Sequence, residues 1–450
     1  MNIPRIMIAA ASSGSGKTMI TCGILQALVN RGMDVASFKC GPDYIDPMFH
    51  ENVIGTRSRN LDLFFTDAGT TRYLFGRTAK DSDISVTEGV MGFYDGLGGT
   101  SLDASSYDLS CKLDMPVILL VNCKGASASV AALVKGFKEF RNNNIKGVIL
   151  NNASEKMYVP LKKMIEEEIG IPVVGHVPNV RDMVIESRHL GLVLPNEVEG
   201  LKDKLNGLAA LLEKTLDMDS IIRTADSAPD FDYKEPELKF KAVNVKIGVA
   251  DDECFCFIYK DNIELLERLG AEIVHFSPLH DSRLPDVSGI ILPGGYPELF
   301  AERLSNNSTM LSDIEQRIGE GMPCMAECGG FMYLHDELED SSGTFHKMAG
   351  VIKGRSFRTE KLSRFGYISI ISKNEGILRK GTEIKGHEFH YWDSTDPGKD
   401  CKAVKTSGVR YECMHTGGNI AAGFPHLYYY SDPGTAHNFL KICASHRDKE

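Results

Sequence analysis

The chain has 450 residues, 42% hydrophobic and 25% charged, with a formal net charge of −11. That length exceeds one ordinary hydrophobic core, so two or three globular domains are expected. Lys and Arg form no block and no apolar run has the length of a membrane span, so neither nucleic acid nor a membrane is an expected partner.

Met1-Asn2-Ile3-Pro4-Arg5 runs straight into an apolar stretch, which leaves no room for a signal peptide. None of the 11 cysteines falls in a Cys-x-x-Cys pair, and the closest spacings are Cys254-x-Cys256 and Cys324-x-x-x-Cys328. Such spacing argues against zinc and for free thiols in a reducing cytoplasm.

Residues 6–11 are an apolar run of strand length, followed by small residues and then Gly16-Lys17-Thr18 at the head of a helical pattern over 19–30. Strand, glycine-rich turn and helix start together make a phosphate cradle. Gly14, Ser15 and Gly16 would turn backbone N–H groups onto ATP. Lys17 would reach its outer phosphates and Thr18 would hold Mg²⁺. The pattern departs from the usual one at Ala11, where a glycine normally stands.

A second strand, 35–39, leads into Cys40-Gly41-Pro42-Asp43-Tyr44-Ile45-Asp46-Pro47. Open α/β sheets bind ligands at the carboxyl ends of their strands. Lys39 is therefore placed to neutralise a transferring phosphoryl group, and Asp43 or Asp46 to bind Mg²⁺ or orient a substrate. Residues 83–87 form a strand ending at Glu88, the position of a metal-side acid, before Gly89-Val90-Met91-Gly92-Phe93-Tyr94-Asp95-Gly96. Further strands are expected at 116–122, 147–150 and 172–175, with a helix opening at 124–129. Asn151, at a strand end, is a candidate adenine contact. Strands alternating with helices imply a doubly wound parallel sheet.

Gly41-Pro42-Asp43-Tyr44-Ile45-Asp46, the Glu88–Gly96 string and Arg188-His189-Leu190-Gly191-Leu192 resemble the cobyrinate a,c-diamide synthase family, whose N-terminal half is related to dethiobiotin synthetase. The resemblance implies an ATP–Mg²⁺ site at Lys17, Thr18 and Glu88, with Asp43 as a further metal ligand. It also implies a substrate-facing loop of Asp43, Tyr44 and Asp46, with Arg188 and His189 near an acidic substrate.

A helical pattern covers 202–216, after which 226–241 mixes Pro229 and Pro236 with charges. The expected organisation is a synthetase domain over 1–215, a linker over 216–243 and a second domain over 244–450.

The second half reads as strand 246–250, helix 262–269 and strands 272–276 and 289–292, the last running into Pro293-Gly294-Gly295-Tyr296-Pro297-Glu298. Gly294 and Gly295 can present N–H groups to an oxyanion. Pro323-Cys324-Met325-Ala326-Glu327-Cys328-Gly329-Gly330 lies between helices, and Cys328 sits on a turn of the nucleophile-elbow kind. Its base would be His426, after the apolar run 420–424, with His387 and His390 as rivals.

These strings and Gly386-His387-Glu388-Phe389-His390-Tyr391 resemble class I glutamine amidotransferase domains in the form fused to cobyrinate and cobyric acid synthases. Most of that class carries a carboxylate two residues after the histidine; here that residue is Tyr428. The fold expected overall is α/β: a P-loop doubly wound domain followed by a flavodoxin-like amidotransferase domain.

The reaction implied is ATP-dependent activation of a carboxylate and its amidation by ammonia from L-glutamine. The resemblance supplies cobyrinate as substrate, and Met91 in place of a basic residue separates the chain from the nickel-sirohydrochlorin relative. Analogy with dethiobiotin synthetase implies a homodimer. Amidation of nickel-sirohydrochlorin, amidation of other carboxylates as by cobyric acid synthase, and a nucleotide-switch ATPase with a binding module remain the alternatives.

Overall fold

The computed structural model describes residues 1–179, 187–188, 191–192 and 200–448. It forms two compact units, Met1–Pro236 and Glu237–Glu450.

The first unit is built on seven parallel strands: β1 (Arg5–Ala10), β2 (Val35–Cys40), β3 (Arg57–Leu61), β4 (Ile84–Glu88), β5 (Val117–Asn122), β6 (Ile145–Asn151) and β7 (Val173–Val177). Their order is β3-β2-β4-β1-β5-β6-β7. Every residue of β1, β2 and β4 is buried, as expected for strands covered by helices on both faces. The helix Lys17–Asn30 follows β1 directly, and register sets Lys39 of β2 beside Glu88 of β4. Two short strands, β8 (Ser187–Arg188) and β9 (Gly191–Leu192), pair antiparallel. The helix expected to open at 124–129 starts at its far end, over Ser129–Glu139.

Part of the segment expected as a linker, 216–243, is ordered and packed. Met218–Asp226 is a helix whose Asp217 cap accepts the Ser220 N–H at 2.9 Å. Met218, Ile221 and Ala225 form its buried stripe at helical spacing. Beyond it, Phe231 is fully buried against Phe75, with the guanidinium groups of Arg5 and Arg72 at 4.7 and 4.2 Å from its ring. Arg5, itself buried, donates to the Pro229 carbonyl at 2.9 Å and to Leu113 at 2.8 Å. Proline and charge make 226–236 look solvated, but one aromatic and one buried arginine tie it to the first unit.

The second unit holds a parallel sheet of β10 (Val245–Ala250), β11 (Ala271–Phe276), β12 (Ile290–Leu292), β13 (Cys324–Glu327) and, from far along the chain, β22 (Ile420–Gly423), in the order β11-β10-β12-β13-β22. Two further sheets lie in a region for which the sequence supplied little pattern. One comprises β14 (His335–Glu339), β15 (Phe345–Lys347), β16 (Ile352–Arg358) and β19 (Trp392–Ser394). The other comprises β17 (Arg364–Ser372), β18 (Glu383–His390), β20 (Cys401–Lys405), β21 (Arg410–Cys413) and β23 (His426–Leu427). Among the described residues, no helix is long and apolar enough to cross a membrane.

Phe231→Ala is expected to destabilise the first unit by about 3–5 kcal/mol. Chemical denaturation followed by circular dichroism would read this as a lower midpoint; an unchanged midpoint would return the segment to the status of a linker.

Candidate active sites

The first site lies at the carboxyl ends of β1, β2 and β4. Gly16 caps the helix Lys17–Asn30 in the left-handed region at φ 89°. A Cβ there would come within 2.7 Å of Asn151 Nδ2, so the position excludes any side chain. Asn151, expected as an adenine contact, stands at the end of β6 beside the loop. Its Nδ2 donates to the Ser15 carbonyl at 2.8 Å, and its Oδ1 accepts the Asn152 N–H at 2.9 Å. The amide is engaged in holding the loop from the end of β6.

Lys17 donates to the Met91 carbonyl. This draws the loop after β4 against the cradle, where Phe93 N–H also reaches Ala10 O at 2.8 Å. Burial lowers the Lys17 pKa, partly offset by Glu88. Thr18 Oγ1 donates to Glu88 Oε1 at 2.6 Å, and Lys39 Nζ donates to the same oxygen at 2.8 Å and to Asp46. Burial opposes the Lys39 charge, but Asp46, Glu88 and Asp43 outweigh it and hold the ammonium well above its usual pKa. Burial raises Glu88, and burial with the Asp46 charge brings Asp43 up to about 7.

Asp43 Oδ1 accepts the N–H groups of Ile45 and Asp46 at 2.7 and 3.2 Å, and so shapes the loop. Tyr44 is buried beside it. His189 and the side chain of Arg188 lie outside the described residues.

Two residues here escaped the sequence reading. Asn60 Nδ2 donates to the carbonyls of Gly41 and Asp43 at 2.9 and 2.6 Å and pins the loop from β3. His50 is fully buried, its Nε2 3.9 Å from Glu88 Oε2, and burial lowers its pKa to about 4. Neither carries a motif; parallel register brings Asn60 to the site, and the helical turn His50–Ile54 brings His50.

The oxygens of Thr18, Glu88 and Asp43 suit a hard divalent cation, and Glu88 Oε2 is buried with no hydrogen-bond partner among the described residues. No group of three or more His, Cys, Asp or Glu side chains is arranged to hold a metal among the described residues. Mg²⁺ characteristically takes one or two carboxylates with substrate phosphates, so the donor set fits it.

The second site surrounds Cys328, which caps the helix Gly329–Tyr333 at φ 45°, ψ −101°. This strained turn for a residue with a side chain is the geometry of a nucleophile elbow. Cys328 N–H bonds the Gly423 carbonyl at 2.8 Å, tying the elbow to the end of β22, three residues before His426. Burial pushes the thiol pKa up strongly, helped by the Glu298 charge. Burial holds His426 well below its usual value, with His387 and His390 adding to the effect. The resting pair is thus a neutral thiol and a neutral imidazole.

Gly294 is needed for space, since a Cβ there would lie 2.4 Å from His426 Cε1. A Cβ on Gly295 would strike the Cys254 carbonyl at 1.8 Å, and the Gly295 nitrogen lies 3.0 Å from where a Gly329 Cβ would be. The Gly-Gly turn therefore abuts both the histidine and the elbow. His387 pairs with His426 across β18 and β23, and their rings stack at 4.9 Å and 18°. His390 stacks on Phe424 and bonds the Trp392 carbonyl, which makes it structural. Glu327, missed by sequence reasoning, is buried and burial raises its carboxyl to about 8, against a Leu427 backbone hydrogen bond.

Gly16→Ala is expected to weaken nucleotide binding about tenfold or more, because left-handed backbone costs about 1–2 kcal/mol for a residue with a Cβ before the Asn151 clash is counted. Titration with a fluorescent ATP analogue measures it, and unchanged affinity would remove the cradle from this loop.

The family model for the CobQ/CobB/MinD/ParA nucleotide binding domain matches residues 6–192, and that for the CobB/CobQ-like glutamine amidotransferase domain matches residues 246–434. The cobyrinate a,c-diamide synthase of Caldanaerobacter subterraneus subsp. tengcongensis is 39% identical over 454 residues, covering 98% of both chains. That of Dehalococcoides mccartyi strain CBDB1 is 39% identical over 457 residues, again covering 98% of both. That of Salmonella typhimurium is 40% identical over 446 residues, covering 96% of this chain and 97% of its own. With both halves matched and relatives aligned over nearly their whole length, the chain belongs to the cobyrinate a,c-diamide synthase family.

Proposed function

We propose that this chain is a glutamine-hydrolysing ligase that uses ATP to amidate the a and c side-chain carboxylates of cobyrinate in cobalamin biosynthesis. Its family membership supports the substrate. The observation that carries the chemistry is the presence, in one chain, of a buried lysine–carboxylate cluster at a phosphate cradle and a strained cysteine elbow beside a neutral histidine.

In the first unit the backbone of Gly14, Ser15 and Gly16 holds the ATP phosphates, and Lys17 exchanges the Met91 carbonyl for them. Lys39 balances charge on the phosphoryl oxygens as a substrate carboxylate attacks the γ-phosphorus, the bond to the β-phosphate breaks, and an acyl phosphate and ADP form. Thr18, Glu88 and Asp43 would hold Mg²⁺, which would supply further positive charge at the phosphates. The loop of Asp43, Tyr44 and Asp46 contacts the macrocycle, and a part for Arg188 and His189 rests on the family resemblance alone.

In the second unit Cys328 attacks the glutamine amide carbon and His426 accepts the thiol proton. The Gly295 N–H is the candidate oxyanion donor. Ammonia leaves with the proton from His426, and water hydrolyses the γ-glutamyl thioester. The acyl phosphate then takes the ammonia and releases phosphate. The 11 cysteines form no disulfide, which suits a reducing cytoplasm.

Purified protein given ATP, Mg²⁺ and glutamine is expected to convert cobyrinate to its diamide, read by product mass. A product formed only from nickel-sirohydrochlorin would reject the substrate and keep the chemistry. Cys328→Ala is expected to abolish glutamine-dependent synthesis and to retain synthesis from ammonium salts. Loss of both in a folded variant would count against two separable sites.

A further inference from the structure

We propose that Glu327, the residue immediately before the nucleophile, is the carboxylate that orients His426 and stabilises it as it becomes charged; this rests on the glutaminase reading above. Glu327 Oε2 lies 3.9 Å from His426 Nδ1, with the two side chains 8% and 3% exposed. Glu327 Oε1 is buried without a hydrogen-bond partner among the described residues. A closure of about 1 Å brings Nδ1–H and the carboxylate into hydrogen-bond range, and such contacts commonly tighten when substrate binds.

The fold explains why this residue can serve. β13 pairs in parallel with β22, setting Glu327 beside Gly423, and the chain reaches His426 three residues later. Tyr428, at the position where the wider class carries its carboxylate, turns its hydroxyl to Asp261 Oδ2 at 3.0 Å. His387 meets the imidazole face to face, so it packs the ring without addressing the edge that bears Nδ1. Ionised Glu327 is the form that accepts Nδ1–H, and an imidazolium forming beside it favours that form.

With Nδ1 protonated and bonded to Glu327, Nε2 is the free base. It takes the Cys328 proton as the S–C bond forms, and passes that proton to the departing ammonia as the C–N bond breaks. Nε2 then removes a proton from water as the new C–O bond forms, and returns it to sulfur as the S–C bond breaks. The Nδ1 proton stays on His426 throughout. Glu327 is therefore a positioning residue, which touches neither glutamine nor the thioester.

The test is Glu327→Gln, assayed for glutamine hydrolysis beside Cys328→Ala. The expected result is a fall in kcat of about 10²- to 10⁴-fold, as when a triad carboxylate is replaced by its amide. KM for glutamine should stay within about twofold and the melting temperature should be unchanged. A kcat within about threefold of the parent, while Cys328→Ala is inactive, overturns the inference and leaves the glutaminase intact. Residual hydrolysis by Cys328→Ala would instead overturn the functional reading. Should the Gln variant fail to fold, ¹⁵N-histidine NMR of the unaltered protein near pH 9 decides: His426 protonated on Nδ1 supports the assignment, and protonated on Nε2 overturns it.

Discussion

The first unit depends on a buried ion pair, Lys39 with Glu88, formed where two parallel strands end side by side. Removing a carboxylate and an ammonium from water is expensive, and hydrogen bonds to the ions offset part of that cost. Here one Glu88 oxygen accepts from both Lys39 and Thr18, and Lys39 also holds Asp46. The helix start, the loop after β2 and the end of β4 are thus anchored on a single ammonium. Asn60 and Asn151 do comparable work with neutral amides, fixing the two loops from β3 and β6. A cradle for a highly charged ligand has to be rigid before the ligand arrives, since reorganising dipoles during the reaction would raise the barrier.

The second unit solves the opposite electrostatic problem. Its reacting pair is kept uncharged by burial: a thiol raised and an imidazole lowered. Proton transfer from sulfur to nitrogen then creates charge only when the substrate is present to use it. Backbone strain at Cys328 and close packing of Gly294 against the imidazole hold the groups in place without ion pairs. In both units chemistry gathers at the carboxyl ends of parallel strands, but one site is built around standing charge and the other around its suppression.

Much of this was legible in the linear chain because local pattern encodes it. Apolar runs marked the buried strands of both parallel sheets, and Gly16-Lys17-Thr18 and Cys328-Gly329-Gly330 marked turns whose backbone needs small residues at fixed spacing. The strands between 335 and 413 were largely illegible, because half-exposed antiparallel strands carry weaker pattern. The helix Met218–Asp226 had its cap and apolar stripe in plain view, but neighbouring prolines and charges argued for a linker.

By itself, the sequence determined that there are two α/β halves, one shaped for phosphate and the other for a thiol nucleophile, since each motif is complete within a dozen residues. Only the tertiary structure decided which side chains stand beside them. Lys39 meets Glu88, Asn151 holds the Ser15 carbonyl, His50 lies behind the carboxylate and Glu327 lies against His426. Those encounters join residues tens to more than a hundred positions apart. They are set by the register between strands and by the packing of turns and loops against them, properties of the assembled unit that no single segment contains.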